Sequence, residues 1–345
     1  MLTVYTLEQS EKWDEIIRSF QNYDTYWLSG YVKAFKIHGD GEPLLFFYED
    51  DNTKGINVVM KRDIAKDKNF CGKLPKEQYF DFATPYGYGG WIIEGDDTDK
   101  LFSSYETWCL ENGIVSEFVR FHPVLKNHKL PDNHYSVIPL GYTVTLDLTS
   151  PEIIWENITS KNRNVIRKAQ KNGVEICIGR SVELFETFRE IYNSTMDKDN
   201  ADEYYYFSSE FYESVYYDLE KNAKIFYAVL DDKVIAAAIM LVENGKMNYH
   251  LSGSIREYSH LAPTNLLLYE AALWGCENGC KSLYLGGGVG SGEDGLFKFK
   301  KSFYRKDDLP RFYIGKKILN EVTYNKLLNL RENLTENGFF PQYRA

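Results

Sequence analysis

Two stretches of this sequence collect basic side chains within a chain that is acidic overall. The segment 160–173 holds five basic residues and no acidic one. The segment 296–317 holds eight basic residues against two acidic ones, and aromatic residues alternate with its lysines. Lysine and arginine gathered in this way favour an anionic ligand that carries phosphates or carboxylates. For the first stretch, a solvated helix surface explains the pattern equally well.

A run of glycines lies between the two basic stretches, directly after a predicted strand. It comprises Gly286, Gly287 and Gly288, and further glycines follow at 290–295. Glycine after a strand lets the backbone come close to a ligand or to another strand. The run lacks the lysine and hydroxyl residues of a Walker loop and the spacing of a dinucleotide-binding fingerprint. We treat these three glycines as candidate substrate contacts.

In the first half of the chain, a predicted strand ends in the segment 84–90, Thr-Pro-Tyr-Gly-Tyr-Gly-Gly. The proline stops the strand and the glycines bend the chain, which would hold Tyr86 and Tyr88 on a tight loop. A structural turn accounts for the proline and the glycines but not for both tyrosines, so a ligand contact is an equal alternative. Arg120 and His122 end a later strand and are candidates for the same role, although a lone histidine in a strand is more often structural.

The sequence gives no sign of a metal site or of a covalent nucleophile. Its six histidines and five cysteines do not pair at metal-ligand spacing. Neither a Gly-x-Ser-x-Gly elbow nor a cysteine–histidine arrangement is present. We therefore expect no metal and no cofactor.

The composition is typical of a globular protein, with 345 residues, 43% of them hydrophobic and 26% charged. Forty basic against fifty acidic residues give a net charge of −10, which argues against a protein that coats DNA or RNA, because counterion release needs a broadly basic surface. Scattered cysteines, a charged N-terminal segment and short apolar runs predict a cytoplasmic protein without a membrane span. Aromatic residues are frequent, at 16%, and most are assigned to the core.

A short internal echo predicts two similar domains. The string Trp-Cys-Leu-Glu-Asn-Gly at 108–113 returns as Trp-Gly-Cys-Glu-Asn-Gly at 274–279, each time at the end of a predicted helix and before a predicted strand. Upstream of both copies, a predicted hairpin and a third strand occur in the same order. We predict an α/β (α+β) fold with mixed central sheets and two tandem domains, residues 1–147 and 148–315. The tail 316–345 is expected to pack on the first domain.

Two segments resemble the signature of the FemABX-type aminoacyltransferases. Tyr-Leu-Gly-Gly-Gly at 284–288, followed by Asp-Gly-Leu-Phe-Lys-Phe-Lys-Lys-Ser-Phe at 294–303, resembles the C-terminal motif of that family. Ser-Lys-Asn-Arg-Asn-Val-Ile-Arg-Lys-Ala at 160–169 is similar to the basic helix that opens the family's second domain. The resemblance covers most of the chain and implies two GNAT-like domains in tandem, of the compact type without a long helical arm.

The resemblance also implies a reaction and the residues that serve it. Family members transfer an amino acid from aminoacyl-tRNA to an amine of a peptidoglycan precursor, and they need no nucleophile on the enzyme. Phe299 and Lys300 match the Phe–Lys pair at the family's reaction centre, where a cation would stabilise the negative charge that develops on oxygen. The remaining candidates are expected to contact the substrates: Tyr31, Lys33, Lys36, Arg163, Arg167, Tyr192, Lys198, Tyr206, Tyr249 and Ser252.

The sequence departs from the family pattern at Lys198 and in the segment 252–263. The family often has an arginine near the first position as a contact for the precursor's phosphate, and lysine cannot form the same bidentate contact. The second segment contains Arg256 but lacks the glycine spacing with which the wider GNAT superfamily binds acyl-CoA. Three hypotheses stay open: transfer from aminoacyl-tRNA to a cell-wall precursor, transfer from acyl-CoA or another acyl donor to an amino sugar for surface polysaccharide, and non-catalytic binding of a nucleotide-sugar or a partner.

Overall fold

The computed structural model describes residues 1–129, 134–331 and 338–345, which form two compact units. The first unit comprises residues 1–140 and 312–345, and the second comprises residues 141–311. The tail from Phe312 onwards therefore lies in the first unit. The boundary expected at 147/148 falls directly after a strand of the second unit, which ends at Asp147.

Among its described residues, the first unit contains ten α-helices and strands before the chain enters the second unit, and two after it. These are β1 (Leu2–Tyr5), α1 (Ser10–Arg18), α2 (Ser29–His38), β2 (Glu42–Glu49), β3 (Lys54–Asp63), β4 (Phe80–Ala83), β5 (Ile92–Glu94), α3 (Asp99–Glu111), β6 (Ile114–Arg120) and β7 (Ser136–Tyr142), and later β14 (Arg311–Ile318) and α10 (Glu321–Asn329). The sequence also predicts a helix over 323–334, and the structure has α10 there. Residues 332–334 lie outside the described part of the chain.

The second unit begins with a strand and two consecutive helices. Its helices and strands are β8 (Val144–Asp147), α4 (Pro151–Asn157), α5 (Ser160–Lys171), β9 (Glu175–Gly179), α6 (Val182–Lys198), α7 (Ser209–Asp218), β10 (Ala223–Leu230), β11 (Lys233–Glu243), β12 (Lys246–Ser254), α8 (Pro263–Glu277), β13 (Ser282–Gly286) and α9 (Gly295–Lys301). In the described parts of both units, no helix is both long and apolar enough to cross a membrane.

Each unit is built on a mixed sheet. The order is β1-β2-β3-β4-β6-β14-β7 in the first sheet, where β5 also pairs with β3, and β8-β13-β12-β11-β10-β9 in the second. The pairs β4·β6 and β12·β13 are parallel, and a helix, α3 or α8, connects the two strands of each pair. A hairpin, a strand, a helix and a strand thus follow one another in both units, which confirms the predicted α/β fold of two similar domains.

The echo in the sequence marks the same helix end in both units. The side chains of Asn112 and Asn278 each donate a hydrogen bond of 2.8 Å to the carbonyl of the tryptophan four residues earlier. Gly113 and Gly279 follow with φ of +70° and +78°, a conformation that ends a helix and that glycine adopts without a steric penalty. The repeated string is therefore a repeated helix C-terminus that turns the chain into β6 and β13.

The C-terminal residues are anchored in the first unit by buried polar contacts. The hydroxyl of Tyr343 donates to Asp81 Oδ2 at 2.9 Å and shares a hydrogen bond of 2.9 Å with the Ser116 hydroxyl. Arg344 Nε donates to the same Asp81 oxygen at 2.6 Å. Burial alone would raise the pKa of Asp81, but the guanidinium groups of Arg62 and Arg344 hold it below its usual value. The carboxylate stays charged and binds the tail to strand β4.

Replacing Tyr343 by phenylalanine is expected to destabilise the protein by about 1–2 kcal/mol, because two buried hydrogen bonds lose their shared hydroxyl. Urea unfolding should show a lower midpoint at an unchanged slope. Tyr217→Phe is the control, since that ring is 64% exposed. Equal stability of Tyr343→Phe and the unmodified protein would contradict an anchoring role for the hydroxyl.

Candidate active site

Strands β12 and β13 of the second unit diverge part of the way along their length. Their parallel ladder joins residues 246–248 to 282–284 and ends there. Beyond it, β12 continues to Ser254 against β11, and β13 continues to Gly286 against β8, each with a shift of register. In this described part of the sheet the facing edges are not paired with each other, so their backbone groups can bind an extended ligand. We call this divergence the β12–β13 opening.

The first unit keeps the corresponding strands together. After the ladder of β4 and β6, the Thr84 N–H donates to the Phe118 carbonyl at 3.1 Å and the Gly89 N–H to the Arg120 carbonyl at 2.9 Å. The Asn127 side chain donates to the Gly89 carbonyl at 2.9 Å. These bonds close the sheet where the second unit is open. Of the two similar domains, the second is thus the one suited to hold an acyl chain between its strands.

Lys300 is a buried cation beside the end of β13. Its side chain projects from α9, is 9% exposed, and donates from Nζ to the Gly287 carbonyl at 2.8 Å. Burial lowers the pKa of this ammonium group to about 8, against the opposing effect of Asp294. A lysine is rarely buried without a partner of opposite charge in direct contact, and such lysines occur mainly where chemistry requires them.

The predicted glycine contacts and Phe299 lie next to this ammonium group. Gly286 has φ of +82°, and a β-carbon there would lie 3.3 Å from Lys300 Nζ. Gly287 provides the carbonyl acceptor, and Gly288 stands where a β-carbon would collide with the Gly292 carbonyl and the Asp294 carboxylate. Phe299 packs edge-on against Phe303, with ring centroids 5.6 Å apart. The residues of the C-terminal motif thus form one compact group.

Tyr249 and Ser252 lie on the other strand of the opening, past the end of the ladder. The Tyr249 hydroxyl donates to Ser252 Oγ at 2.6 Å. Burial raises the pKa of Tyr249 to about 12, so the hydroxyl keeps its proton and remains a donor at neutral pH. Past the ladder, β12 therefore carries two hydroxyl side chains, and the end of β13 lies beside the Lys300 ammonium.

Five candidates of the first unit gather in one cluster at the ends of β4 and β6. The Tyr31 hydroxyl donates to the Tyr86 carbonyl at 2.6 Å, and the Arg120 Nε donates to the Gly87 carbonyl at 2.9 Å. The Arg120 guanidinium lies 5.9 Å from the ring centroid of Tyr88 and 4.9 Å from that of Phe312. Its outer nitrogens lie on a half-buried, aromatic surface, which suits a carboxylate or phosphate.

His122 supports this cluster from within. It is fully buried, its Nδ1 accepts the Leu125 N–H at 3.3 Å, and its Nε2 lies 3.1 Å from Asp24 Oδ2. Asp24 in turn accepts the Thr25 N–H at 2.6 Å. Because both nitrogens of His122 are occupied by the protein, the histidine holds the loops in place and does not itself present a group to a substrate.

The two lysines of α2 lie apart from the cluster's interior. Lys33 and Lys36 are exposed, and Lys36 forms an ion pair of 2.6 Å with Glu42. Tyr31 lies on the same helix and is buried. Tyr31 therefore belongs to the cluster, and a contact of either lysine with a substrate stays a prediction.

Three further candidates belong to α6 and the segment after it. Tyr192 is 3% exposed and packs between Phe188 and Phe207, with ring centroids 5.8 and 6.0 Å apart. Lys198 is exposed, with an ion pair of 3.3 Å to Asp199, and the Tyr206 hydroxyl donates to Asp197 at 2.8 Å. The ring of Tyr192 packs in the core, whereas Lys198 is on the surface; for all three residues a contact with a substrate stays a prediction.

The two basic stretches adjoin in the second unit. The Thr159 N–H donates to the Ser302 carbonyl at 2.9 Å, and the Arg305 N–H donates to the Asn157 carbonyl at 2.8 Å. These bonds join the start of α5 to the end of α9. The guanidinium groups of Arg163 and Arg167 both lie over the Trp155 ring, at 5.9 and 5.0 Å from its centroid, so the two arginines share one face of α5, as their spacing of four residues implies.

The described residues provide no group of three or more His, Cys, Asp or Glu side chains that could hold a metal ion. None of the five cysteines forms a disulfide. The arrangement at Lys300 can act without either, because a cation placed beside an acyl carbonyl stabilises the oxyanion that forms when an amine attacks.

Sequence reasoning missed Asp24, Tyr26 and the structural part played by Asp294. Tyr26 contacts Tyr31, Tyr88 and His122, with ring centroids 5.1, 5.4 and 5.6 Å apart. No spacing in the sequence connects it to residues 60 or more positions away. The sequence could have indicated the role of Asp294, since aspartate before a short amphipathic segment is typical of a helix N-cap.

The chain matches one family model and is similar to several solved structures. Residues 160–301 match the family model of the acetyltransferase (GNAT) domain. The chain is similar in structure to FemX, at 15% identity over 94% of this chain and 99% of that one, with a TM-score of 0.65. A search of curated proteins found no match.

Two further solved structures share the fold over nearly their whole length. One is the C-terminal domain of a putative lysylphosphatidylglycerol synthetase from Agrobacterium fabrum, at 15% identity, covering 93% of this chain and 95% of that one, with a TM-score of 0.56. The other is a protein of unknown function from Bacteroides thetaiotaomicron, at 11% identity, covering 92% and 99%, with a TM-score of 0.59. At such identities the similarity establishes the fold.

The GNAT match falls on the unit that carries the β12–β13 opening and Lys300, and it supports an acyltransferase. The similarity to FemX extends over both units. The chain has the FemABX-like fold of two tandem GNAT-like domains, and residues 160–301 of its second unit match the acetyltransferase (GNAT) domain model.

Proposed function

We propose that this protein is an N-acyltransferase that moves an aminoacyl group from aminoacyl-tRNA to an amine of a cell-wall precursor in the cytoplasm. The observation that carries the proposal is the buried Lys300 ammonium beside the β12–β13 opening. The amine nitrogen attacks the ester carbonyl, a tetrahedral oxyanion forms, and the ester C–O bond breaks. The ribose oxygen takes up a proton and leaves as a hydroxyl, the attacking nitrogen gives up one proton to solvent, and an amide remains.

Lys300 has two tasks in this reaction. Its positive charge stabilises the oxyanion, and its proton can pass to the leaving ribose oxygen. The nearby backbone and hydroxyl groups of the opening would hold the acyl group while the amine approaches. No covalent enzyme intermediate is required, in keeping with the absence of a recognisable nucleophile motif in the sequence.

The donor is proposed to bind at the surface where α5 and α9 adjoin, because the basic stretches of both helices meet there. The acceptor is proposed to contact the cluster around Arg120, whose guanidinium is suited to a phosphate or carboxylate.

A second candidate is transfer from acyl-CoA or another acyl donor to an amino sugar for surface polysaccharide. The GNAT match of the second unit favours it. The segment that binds the CoA pyrophosphate in the wider superfamily is here a short helix at Arg256–Leu261, followed by Ala262 at φ of +53°. That segment lacks the glycines that would expose several N–H groups to a pyrophosphate, so we rank this donor second.

The two candidates differ in the donor that they consume. The purified protein would be mixed with radiolabelled aminoacyl-tRNA, and separately with labelled acyl-CoA, in the presence of UDP-linked amino sugars and muropeptides. We expect label to move from tRNA to an amine. Transfer from acyl-CoA alone would overturn the proposed donor, and no transfer in any mixture would leave non-catalytic binding as the function.

The rate of transfer should fall as pH rises through about 8, since the Lys300 pKa is lowered by burial to about 8 and the catalytic form is the cation. Below this value the group is charged, and above it the charge is lost. In Lys300→Arg the guanidinium stays charged, so the descending limb should disappear whatever the absolute rate. If the fall of the rate at high pH persists in Lys300→Arg, the group whose titration causes it is not Lys300.

Replacing Arg120 by alanine is expected to raise the KM for the acceptor about tenfold and to leave the KM for the donor unchanged. The estimate corresponds to the loss of one charge-assisted hydrogen bond, about 1.5 kcal/mol. Lys68→Ala is a suitable control, because Lys68 is an exposed cation of the same unit. A change in donor KM instead would move Arg120 out of the acceptor site.

A further inference from the structure

Asp294 connects the glycine run to the helix that carries Lys300. Its Oδ1 accepts the Phe297 N–H at 2.8 Å, which caps the first turn of α9. Its Oδ2 accepts the Val289 N–H at 3.0 Å, which closes the loop that follows β13. One carboxylate thus fixes both parts of the chain that meet at the Lys300 ammonium: the helix that supplies Nζ and the loop that supplies its carbonyl partner, Gly287.

The loop is built around this carboxylate. A β-carbon on Gly288 would collide with the Asp294 side chain and with the Gly292 carbonyl, so glycine is required there for close approach and not for an unusual φ. The hydrogen bonds from Phe297 and Val289 hold the pKa of Asp294 below its usual value. The carboxylate is therefore ionised across the neutral range.

Asp294 is also the charge that acts on Lys300. Among the described residues, it is the ionisable group that raises the Lys300 pKa against the effect of burial. Its neighbours do not compete, because residues 285–292 include no ionisable side chain and Glu293 and Lys298 are exposed. Lys301, on the same helix, forms its ion pair with Asp307 at 3.3 Å.

We propose that Asp294 is the positioning residue of the reaction centre: by binding Phe297 and Val289 together, it holds Lys300 against the Gly287 carbonyl as a cation. It does not touch a substrate and acts through Lys300. The inference rests on the proposed function at one point only, namely that Lys300 takes part in the reaction.

The first test measures Lys300 itself and needs no substrate. Protein with 13C-labelled lysine side chains would be titrated by NMR, with the Lys300 signal assigned from its absence in Lys300→Arg. In Asp294→Asn the Lys300 midpoint should fall by about half a pH unit or more, because the opposing charge is removed. In Glu293→Gln, which makes the same change of net charge one residue earlier, the Lys300 midpoint should remain unchanged. An equal midpoint in all three proteins would overturn the proposal.

Asp294→Ser covers the case in which the asparagine variant does not fold. Serine retains an N-cap acceptor for Phe297 but is too short to hold Val289 as well. The Lys300 signal should then also move to a lower midpoint and broaden, as the loop is released. A sharp signal at the unmodified midpoint would show that the second hydrogen bond and the charge are both dispensable, and the inference would be wrong.

The second test uses the rate of transfer. Asp294→Asn alone should lower kcat about tenfold with little change in either KM, whereas the same change in a Lys300→Met background should have no further effect. A merely structural role would lower activity by the same factor in both backgrounds. Because the titration is read without any donor, failure of the proposed transfer and failure of this inference give different results.

Discussion

Lys300→Met should lower kcat by about 10²–10³-fold while the protein stays folded, because a preorganised donor to a developing oxyanion contributes on the order of 3–4 kcal/mol. Methionine has nearly the shape of lysine and lacks its charge, so the site keeps its packing. The KM values should change little, since the charge is needed after binding. Single-turnover measurements with saturating donor and acceptor give the rate of the chemical step directly.

The same substitution should not lower stability. Lys300 has an ordinary pKa of 10.5 and a folded-state pKa of about 8, so below pH 8 the folded protein carries a charge that it would hold more easily when unfolded. The corresponding cost, about 3 kcal/mol, is relieved as pH rises from 8 to 10.5. At pH 7, Lys300→Met should melt no lower than the unmodified protein, even though the Gly287 carbonyl loses its donor.

Lys301→Met is the matched control, because this neighbouring lysine is partly exposed and ion-paired with Asp307. It makes the same chemical change on the same helix and should keep nearly the full kcat at saturating donor, because a cation of the donor-binding surface acts on the donor KM. A large loss of melting temperature in Lys300→Met, with activity lost in proportion to folded protein, would show that the buried lysine is structural.

Gly286→Ala is expected to lower kcat by about 10- to 100-fold, with two physical causes. At φ of +82° an alanine is strained, by about 1–2 kcal/mol. Its β-carbon would also lie 3.3 Å from Lys300 Nζ, so the ammonium group must leave its place beside the Gly287 carbonyl. The rate should fall because the Lys300 cation moves, and the stability of the protein should fall because the backbone at residue 286 is strained.

Gly279→Ala separates these two causes. Gly279 has φ of +78°, and a β-carbon there would meet nothing within 4 Å, so its alanine variant carries the strain alone. Both variants should show a similar drop in melting temperature, and only Gly286→Ala should lose activity. Equal activity of the two at a temperature where both are folded would contradict the placement of Lys300 against this glycine.

The grouping of the candidate residues around Lys300 could be predicted because they lie in one short segment of sequence. Gly286, Phe299 and Lys300 belong to a single motif, and a motif of local residues stays local when a strand, a loop and a helix fold in succession. The repeat was predictable for the same reason. The Asn-Gly pairs at 112–113 and 278–279 end equivalent helices, and each asparagine bonds to a residue only four positions earlier.

Features that depend on contacts across the fold were beyond the sequence. The divergence of β12 from β13 depends on the register of strand pairing, and no residue type in the sequence indicates that register. Tyr26 and Asp24 reach His122 through tertiary packing. The packing of Tyr192 depends on such contacts as well, since its ring lies between Phe188 and Phe207. A contact of Tyr192 with a substrate stays a prediction.

The most direct measurement of the central claim is a single-turnover transfer assay of the unmodified protein beside Lys300→Met, with label on the aminoacyl group of tRNA and saturating acceptor. The account predicts that label passes to the acceptor amine in the unmodified protein, and that the variant binds both substrates equally well but transfers at least about 100-fold more slowly. Equal rates in the two proteins would contradict the claim that the buried lysine carries the reaction.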